Sequence, residues 1–134
     1  MSYVGIPFVD GGRERSGCDC WGLLRLVYRE EAGIELPSYG EIGAHELMAI
    51  SRELSRGMID QTWRRVDGEA PRFLDVAVMK RLDKTGAVPV HVGVMLDRRR
   101  LLHVEVETDS VLIPANHPSI ASRLVGFYRH RDIA

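Results

Sequence analysis

The hydrophobic positions of this chain follow one rule in its first part and another in its second. Between about Asp19 and Ala32, Leu23, Leu24, Val27 and Tyr28 recur at helical spacing. Gly33 follows them at the position where a helix stops in a left-handed residue. A second helix is expected from about Ala44 to Ser55, with Leu47, Ile50, Leu54 and then Met58 along one stripe. Residues 3–18 carry Gly5, Pro7, Gly11, Gly12 and Gly17 and read as an irregular approach to the first helix. Later the period shortens. Phe73–Met79, Val90–Leu96, Leu101–Val106, Val111–Ile113 and Leu124–Tyr128 are short runs rich in β-branched or aromatic residues. Turn material separates them at Asp83-Lys84-Thr85-Gly86, Asp97–Arg100, Thr108-Asp109-Ser110 and Asn116-His117-Pro118. Helices first and closely spaced strands after predict an α+β fold with an antiparallel sheet.

Length and charge narrow the field. The 134 residues suit one domain, 1–134, with a single core. A formal net charge of -1 provides no field for nucleic acid or an acidic membrane surface, and neither is expected as a partner. Arg98-Arg99-Arg100 is a local exception that reads as a solvated turn. No stretch approaches the run of about 20 apolar residues that spans a bilayer. The N-terminus shows no basic region leading into an apolar one, so synthesis in the cytoplasm without a signal peptide is expected.

Cys18 and Cys20 are the two cysteines. They are too close in sequence for an ordinary disulfide. Apart from His45, no histidine lies near enough in sequence to complete a metal site with them, so neither a metal nor a cofactor is expected. Cys20 falls in the first turn of the first long helix, where unpaired N–H groups and the helix dipole favour thiolate over thiol. Its alternative reading is a small buried hydrophobe, and Cys18, ahead of the helix, reads as that. Gly17 and Gly22 are expected to keep the surroundings of Cys20 open.

A thiolate nucleophile needs a proton carrier, and histidine is the usual one. His45 reads as helix surface, His117 as a turn residue and His130 as part of a charged tail. His91 and His103 differ, because both lie on strands of one predicted hairpin. With the turn at Asp97-Arg98-Arg99, Leu96 pairs with Arg100 and Gly93 with His103, so the two histidines share a face as diagonal neighbours. Val92, Val94, Leu102 and Val104 then form the opposite, core-facing side. Either histidine alone could be a satisfied strand residue. Two on one face, with a thiol at a helix start, make a nucleophile, base and orienting group.

These residues stand in a familiar order. Phe8-Val9-Asp10-Gly11-Gly12, Asp19-Cys20-Trp21-Gly22-Leu23-Leu24, His91-Val92-Gly93-Val94-Met95-Leu96 and Leu102-His103 resemble the motifs of the NlpC family of papain-like cell-wall peptidases. More narrowly, the chain is similar to the short forms encoded with tail genes of phages and gene-transfer agents. The resemblance extends to Val125-Gly126-Phe127-Tyr128-Arg129. It implies a papain-like fold, N-terminal helices on a central antiparallel sheet, with Cys20 as nucleophile, His91 as base and His103 as third catalytic residue. It further implies hydrolysis of peptidoglycan stem peptides at the γ-D-glutamyl–diaminopimelate bond, phage-like tail proteins as partners and incorporation into a tail particle. Asp19, Trp21 and Phe8 become substrate-binding candidates, with helix capping the alternative for Asp19 and packing for Trp21. Phe8 stands where the family commonly has Tyr, and Trp21 where it commonly has Ser. Three other functions compete: a tail-assembly component with little or no hydrolysis, an acyl- or amide-transferring enzyme using the same Cys–His pair, and a peptide-binding module. The intact Cys20, His91 and His103 set argues against the last.

Overall fold

A computed structural model describes residues 3–9, 11–36, 63–66, 68–80, 90–105 and 108–133. The expected helix at 44–55, and His45 with it, lies outside the described residues. The first long helix, α1, runs Cys20–Ala32. Asp19 adopts extended geometry and accepts a hydrogen bond from the Gly22 N–H, which caps the helix start. At the other end Gly33 turns left-handed at φ 67°, and its N–H returns to the carbonyls of Tyr28 and Arg29. Trp21, Leu23, Leu24, Leu26, Val27 and Tyr28 are all buried by this helix, more than a single stripe supplies. A helix covered on that many sides is part of the core rather than a surface element.

Eight strands accompany it among the described residues. A small hairpin pairs β1 (Arg13–Glu14) with β2 (Gly17–Cys18) just ahead of α1. The main sheet contains β3 (Trp63–Val66), β4 (Val76–Lys80), β5 (Val90–Met95), β6 (Arg100–His103), β7 (Val111–Pro114) and β8 (Leu124–His130). Their order across the sheet is β3-β8-β4-β5-β6-β7, with every neighbouring pair antiparallel. A one-turn helix, α2 (Pro118–Ala121), carries the chain from the edge strand β7 back to β8, which pairs with both β3 and β4. The predicted α+β papain-like architecture is therefore what the chain adopts, with α1 lying against β5.

Alternation along the strands sorts side chains into two clusters. Val76, Val78, Val92, Val94, Leu102 and Val104 join α1 in the main core. Ala77, Met79, Met95 and Leu101 face the other way and are covered by Ile120 of α2. The β5–β6 register, Val94 opposite Leu102 and Met95 opposite Leu101, is the one predicted from the turn. Asp97 closes that turn by accepting from the N–H groups of Arg99 and Arg100, and the three arginines there are exposed, as expected.

Several expectations need correction. The run from Phe73 becomes strand only at Val76, because Leu74 takes a left-handed φ of 73° and Asp75 closes a turn onto Arg72. The turn at Asn116–Pro118 leads into α2, with His117 accepting from the Ser119 N–H as its cap. Trp63–Val66 was not expected as a strand; it pairs with β8. His130 is not a surface tail residue: it lies on β8, 6% exposed, edge-on to Trp63 with ring centres 5.0 Å apart.

Candidate active site

Three stretches of sequence meet just ahead of the helix that begins with the nucleophile candidate. The segment ahead of α1 folds back on itself: Phe8 bridges to Cys18, the Cys18 N–H donates to Pro7, and the Val9 N–H donates to Cys18. The same segment is stitched to the far end of the chain. Gly5 donates to Ser110, Phe8 donates to Thr108, and Ser110 donates back to Ile6. Thr108 in turn closes a tight turn onto Glu105 through its backbone N–H and its hydroxyl. The chain leading into Cys20 and the chain leaving His103 are thus held side by side.

Cys20 is the first residue of α1 and is 5% exposed. Cys18 is fully buried, and burial, with Asp19 and Cys20 nearby, pushes its thiol up to about 12. Cys18 has the packing place that the sequence suggested. Gly17 and Gly22, in contrast, do not hold the region open. A Cβ on Gly22 would sit 2.1 Å from the Gly12 carbonyl oxygen, and one on Gly17 would sit 2.2 Å from the Val9 side chain. At Gly22 the obstacle is backbone, so glycine is needed there for the loop to close onto the helix start.

Asp19 is also interior, 1% exposed. One carboxylate oxygen accepts from the Gly22 N–H at 2.8 Å and from Arg13 Nη1 at 2.8 Å; the other accepts from the Gly11 N–H at 3.2 Å. Burial raises its pKa while these donors pull it down. This is the capping role. Trp21, 1% exposed, lies in the main core, which is the packing role. Phe8 is half-buried against the same core.

The two histidines are brought into direct contact. His91 Nε2 lies 2.9 Å from His103 Nδ1, with ring centres 5.2 Å apart and the planes at 66°. Both are buried, at 5% and 7% exposure. Burial pushes the pKa of His103 down; the Glu105 carboxylate opposes that shift and Arg123 adds to it. Sequence reasoning missed Glu105. Its Oε1 is 3.6 Å from His91 Nε2 and 3.7 Å from His103 Nδ1, and Arg123, just beyond α2, forms an ion pair with it. The signal was available: a residue two beyond a strand histidine tends to share its face. His91, His103 and Glu105 are also the group, among the described residues, whose donor atoms could close on a metal ion.

This fold belongs to a known family. The NlpC/P60 family model matches residues 5–129, and the chain is a member of that family. It is 24% identical over 116 residues to the murein DD-endopeptidase MepS/murein LD-carboxypeptidase of Escherichia coli strain K12. The match covers 87% of this chain and 51% of that protein, so the chain spans about half the length of the curated relatives it matches. Among solved structures, an NlpC/P60 family protein from Bacillus cereus ATCC 10987 superposes with a TM-score of 0.65 at 21% identity, over 96% of this chain and 36% of that one. The NlpC/p60 domain of the peptidoglycan hydrolase SagA superposes with a TM-score of 0.54 at 21% identity, covering 94% and 87%.

Proposed function

We propose that the protein is a cysteine peptidase that hydrolyses amide bonds in peptidoglycan stem peptides, with Cys20 as nucleophile, His91 as base and His103 as the group that orients His91. The observation that carries this reading is the buried 2.9 Å contact between His91 Nε2 and His103 Nδ1, on the sheet against which the Cys20 helix packs. That contact supports a role for each ring atom. A depressed pKa keeps His103 neutral, so its Nδ1 can accept the proton carried on His91 Nε2. In that tautomer the lone pair of His91 is on Nδ1, the atom that takes the Cys20 proton near the start of β5.

The thiolate adds to the stem-peptide carbonyl, and the Cys20 N–H at the start of α1 stabilises the oxyanion. His91 gives its proton to the leaving amine as the C–N bond breaks, which leaves a thioester on Cys20. A water molecule, deprotonated by His91, adds to the thioester; the carboxylic acid departs and the thiol regains its proton. We assign the γ-D-glutamyl–diaminopimelate bond as the target and delivery on a phage-like tail as the setting. Both rest on the motif order Gly11-Gly12, Asp19-Cys20-Trp21-Gly22 and His91-Val92-Gly93.

The test is digestion of purified peptidoglycan and of defined stem peptides, followed by mass spectrometry. The parent protein should release the expected fragments and Cys20→Ala should release none. Intact substrate after incubation with the folded parent protein overturns the peptidase reading. Absence of the protein from purified tail particles overturns the setting.

A further inference from the structure

We propose that His91 Nε2, His103 Nδ1 and Glu105 Oε1 form a binding site for one divalent transition-metal ion, of which zinc is the natural probe, and that filling it switches the thiol chemistry off. The binding part stands on geometry alone; the switch rests on the peptidase reading above.

The three donor atoms lie within 4.8 Å of one another. Their separations are 2.9 Å between the two nitrogens, and 3.6 and 3.7 Å from the carboxylate oxygen to each nitrogen. A tetrahedral zinc ion with bonds of about 2.0–2.1 Å needs donors about 3.3–3.4 Å apart. The observed separations straddle that value, so an ion enters when the rings part by a few tenths of an ångström and the carboxylate closes in. Two imidazole nitrogens and one carboxylate oxygen select zinc and its first-row neighbours over magnesium or calcium, which prefer oxygen donors.

The scaffold is organised for this. The histidines sit on neighbouring strands, β5 and β6. Glu105 is held by the turn to Thr108 and by Arg123. The side chain of Glu105 is 30% exposed, which gives an ion a way in and leaves a face for water as fourth ligand. The Arg123 charge opposes a cation, so moderate affinity is expected rather than that of a closed structural site.

Proton accounting yields the switch. A neutral imidazole that coordinates a metal through Nε2 holds its one proton on Nδ1, and the ion takes the place of the His91–His103 hydrogen bond. His91 then has no lone pair with which to accept the Cys20 proton, and the thiolate does not form.

The experiment is zinc titration by calorimetry into the Cys20→Ala full-length protein, in which the thiol cannot be the ligand. One ion per chain is expected, and Glu105→Gln in that background should bind it at least about tenfold more weakly. Imidazole nitrogen NMR needs no change at the site: zinc should shift His91 and His103 and leave His117 and His130 in place. No saturable binding, shifts confined to other histidines, or unchanged affinity in a folded Glu105→Gln protein overturns the site. In the parent enzyme, zinc should abolish hydrolysis reversibly, with EDTA restoring it. Full activity with the site saturated overturns the switch alone. Binding by a protein that never hydrolyses stem peptides overturns the peptidase reading and leaves the site standing.

Discussion

Gly22→Ala is a substitution for which helix propensity and tertiary structure predict opposite signs. Gly22 is in the first turn of α1, and alanine in a helix interior is favoured over glycine by about 1 kcal/mol. Propensity alone predicts a stabilised protein. The tertiary contact predicts the reverse. The new methyl would lie 2.1 Å from the Gly12 carbonyl oxygen and 3.0 Å from Cys18 Cβ, inside van der Waals contact on the first and tight on the second. Both neighbours are anchored, the oxygen being backbone and Cys18 fully buried. The loop must therefore withdraw, and that oxygen is the acceptor for the Asp19 N–H at 3.3 Å and for Arg13 Nη1 at 2.9 Å. Overpacking of this kind costs about 1–3 kcal/mol, and each hydrogen bond weakened adds about 0.5–1.5 kcal/mol. After the propensity gain, a net loss of roughly 2–4 kcal/mol is expected. Urea denaturation of parent and variant should show a lower midpoint with an unchanged slope. Stem-peptide hydrolysis, measured where both proteins remain folded, should fall by more than the folded fraction does, because the displaced loop sets the Cys20 end of the helix. A Gly22→Ala protein as stable as the parent, or more so, would refute the close-packing account of this loop.

Iodoacetamide near neutral pH should label Cys20 much faster than Cys18, read by peptide mass spectrometry; equal rates would sink the assignment of nucleophile. Between pH 9.0 and about 12 an unfolded Cys18 ionises while the folded one stays protonated, so stability should fall as pH rises through that window, and Cys18→Ala should flatten the decline in alkaline melts. His103→Ala should cost most of kcat/KM while His103→Gln keeps part of it, since orienting His91 needs only a hydrogen-bonding group; activity of His103→Ala equal to that of the parent would remove His103 from the site. Arg129→Met should destabilise by about 3–5 kcal/mol in urea, because it strands Asp75, which is fully buried and held by Arg129 through two 2.7 Å contacts; adding Asp75→Asn should recover part of the loss.

What the sequence disclosed depended on how local the cause was. The start and stop of α1 were legible because Asp19 and Gly33 act within a few residues of themselves. The face shared by His91 and His103 was legible because one turn, Asp97 to Arg99, sets the register of two strands. Trp63–Val66 was hidden because its stability comes from β8, more than sixty residues later: Trp63 pairs with His130. The same partner explains why His130 is buried within an apparently charged tail. The glycines misled for a related reason. Composition speaks of freedom near Cys20, while the structure uses the missing side chains at Gly17 and Gly22 for contact between segments. Glu105 escaped because its importance depends on Arg123, which only the return of the chain through α2 brings alongside.

The position of β8 determines when such a site can exist. It is the last of the described strands in sequence, yet it is hydrogen-bonded on both flanks, to β3 and to β4. Until it arrives, those two strands have no common partner, and Asp75 has no guanidinium to meet its charge. Arg123, the residue that grips Glu105 beside the histidines, immediately precedes it. A nascent chain that has already made α1, with Cys20 at its tip, still has an incomplete sheet and an unclamped histidine pair. The order in which the chain is synthesised thus places the Arg123–Glu105 ion pair beside the histidines, and the joining of β3 to β4 through β8, after the formation of α1.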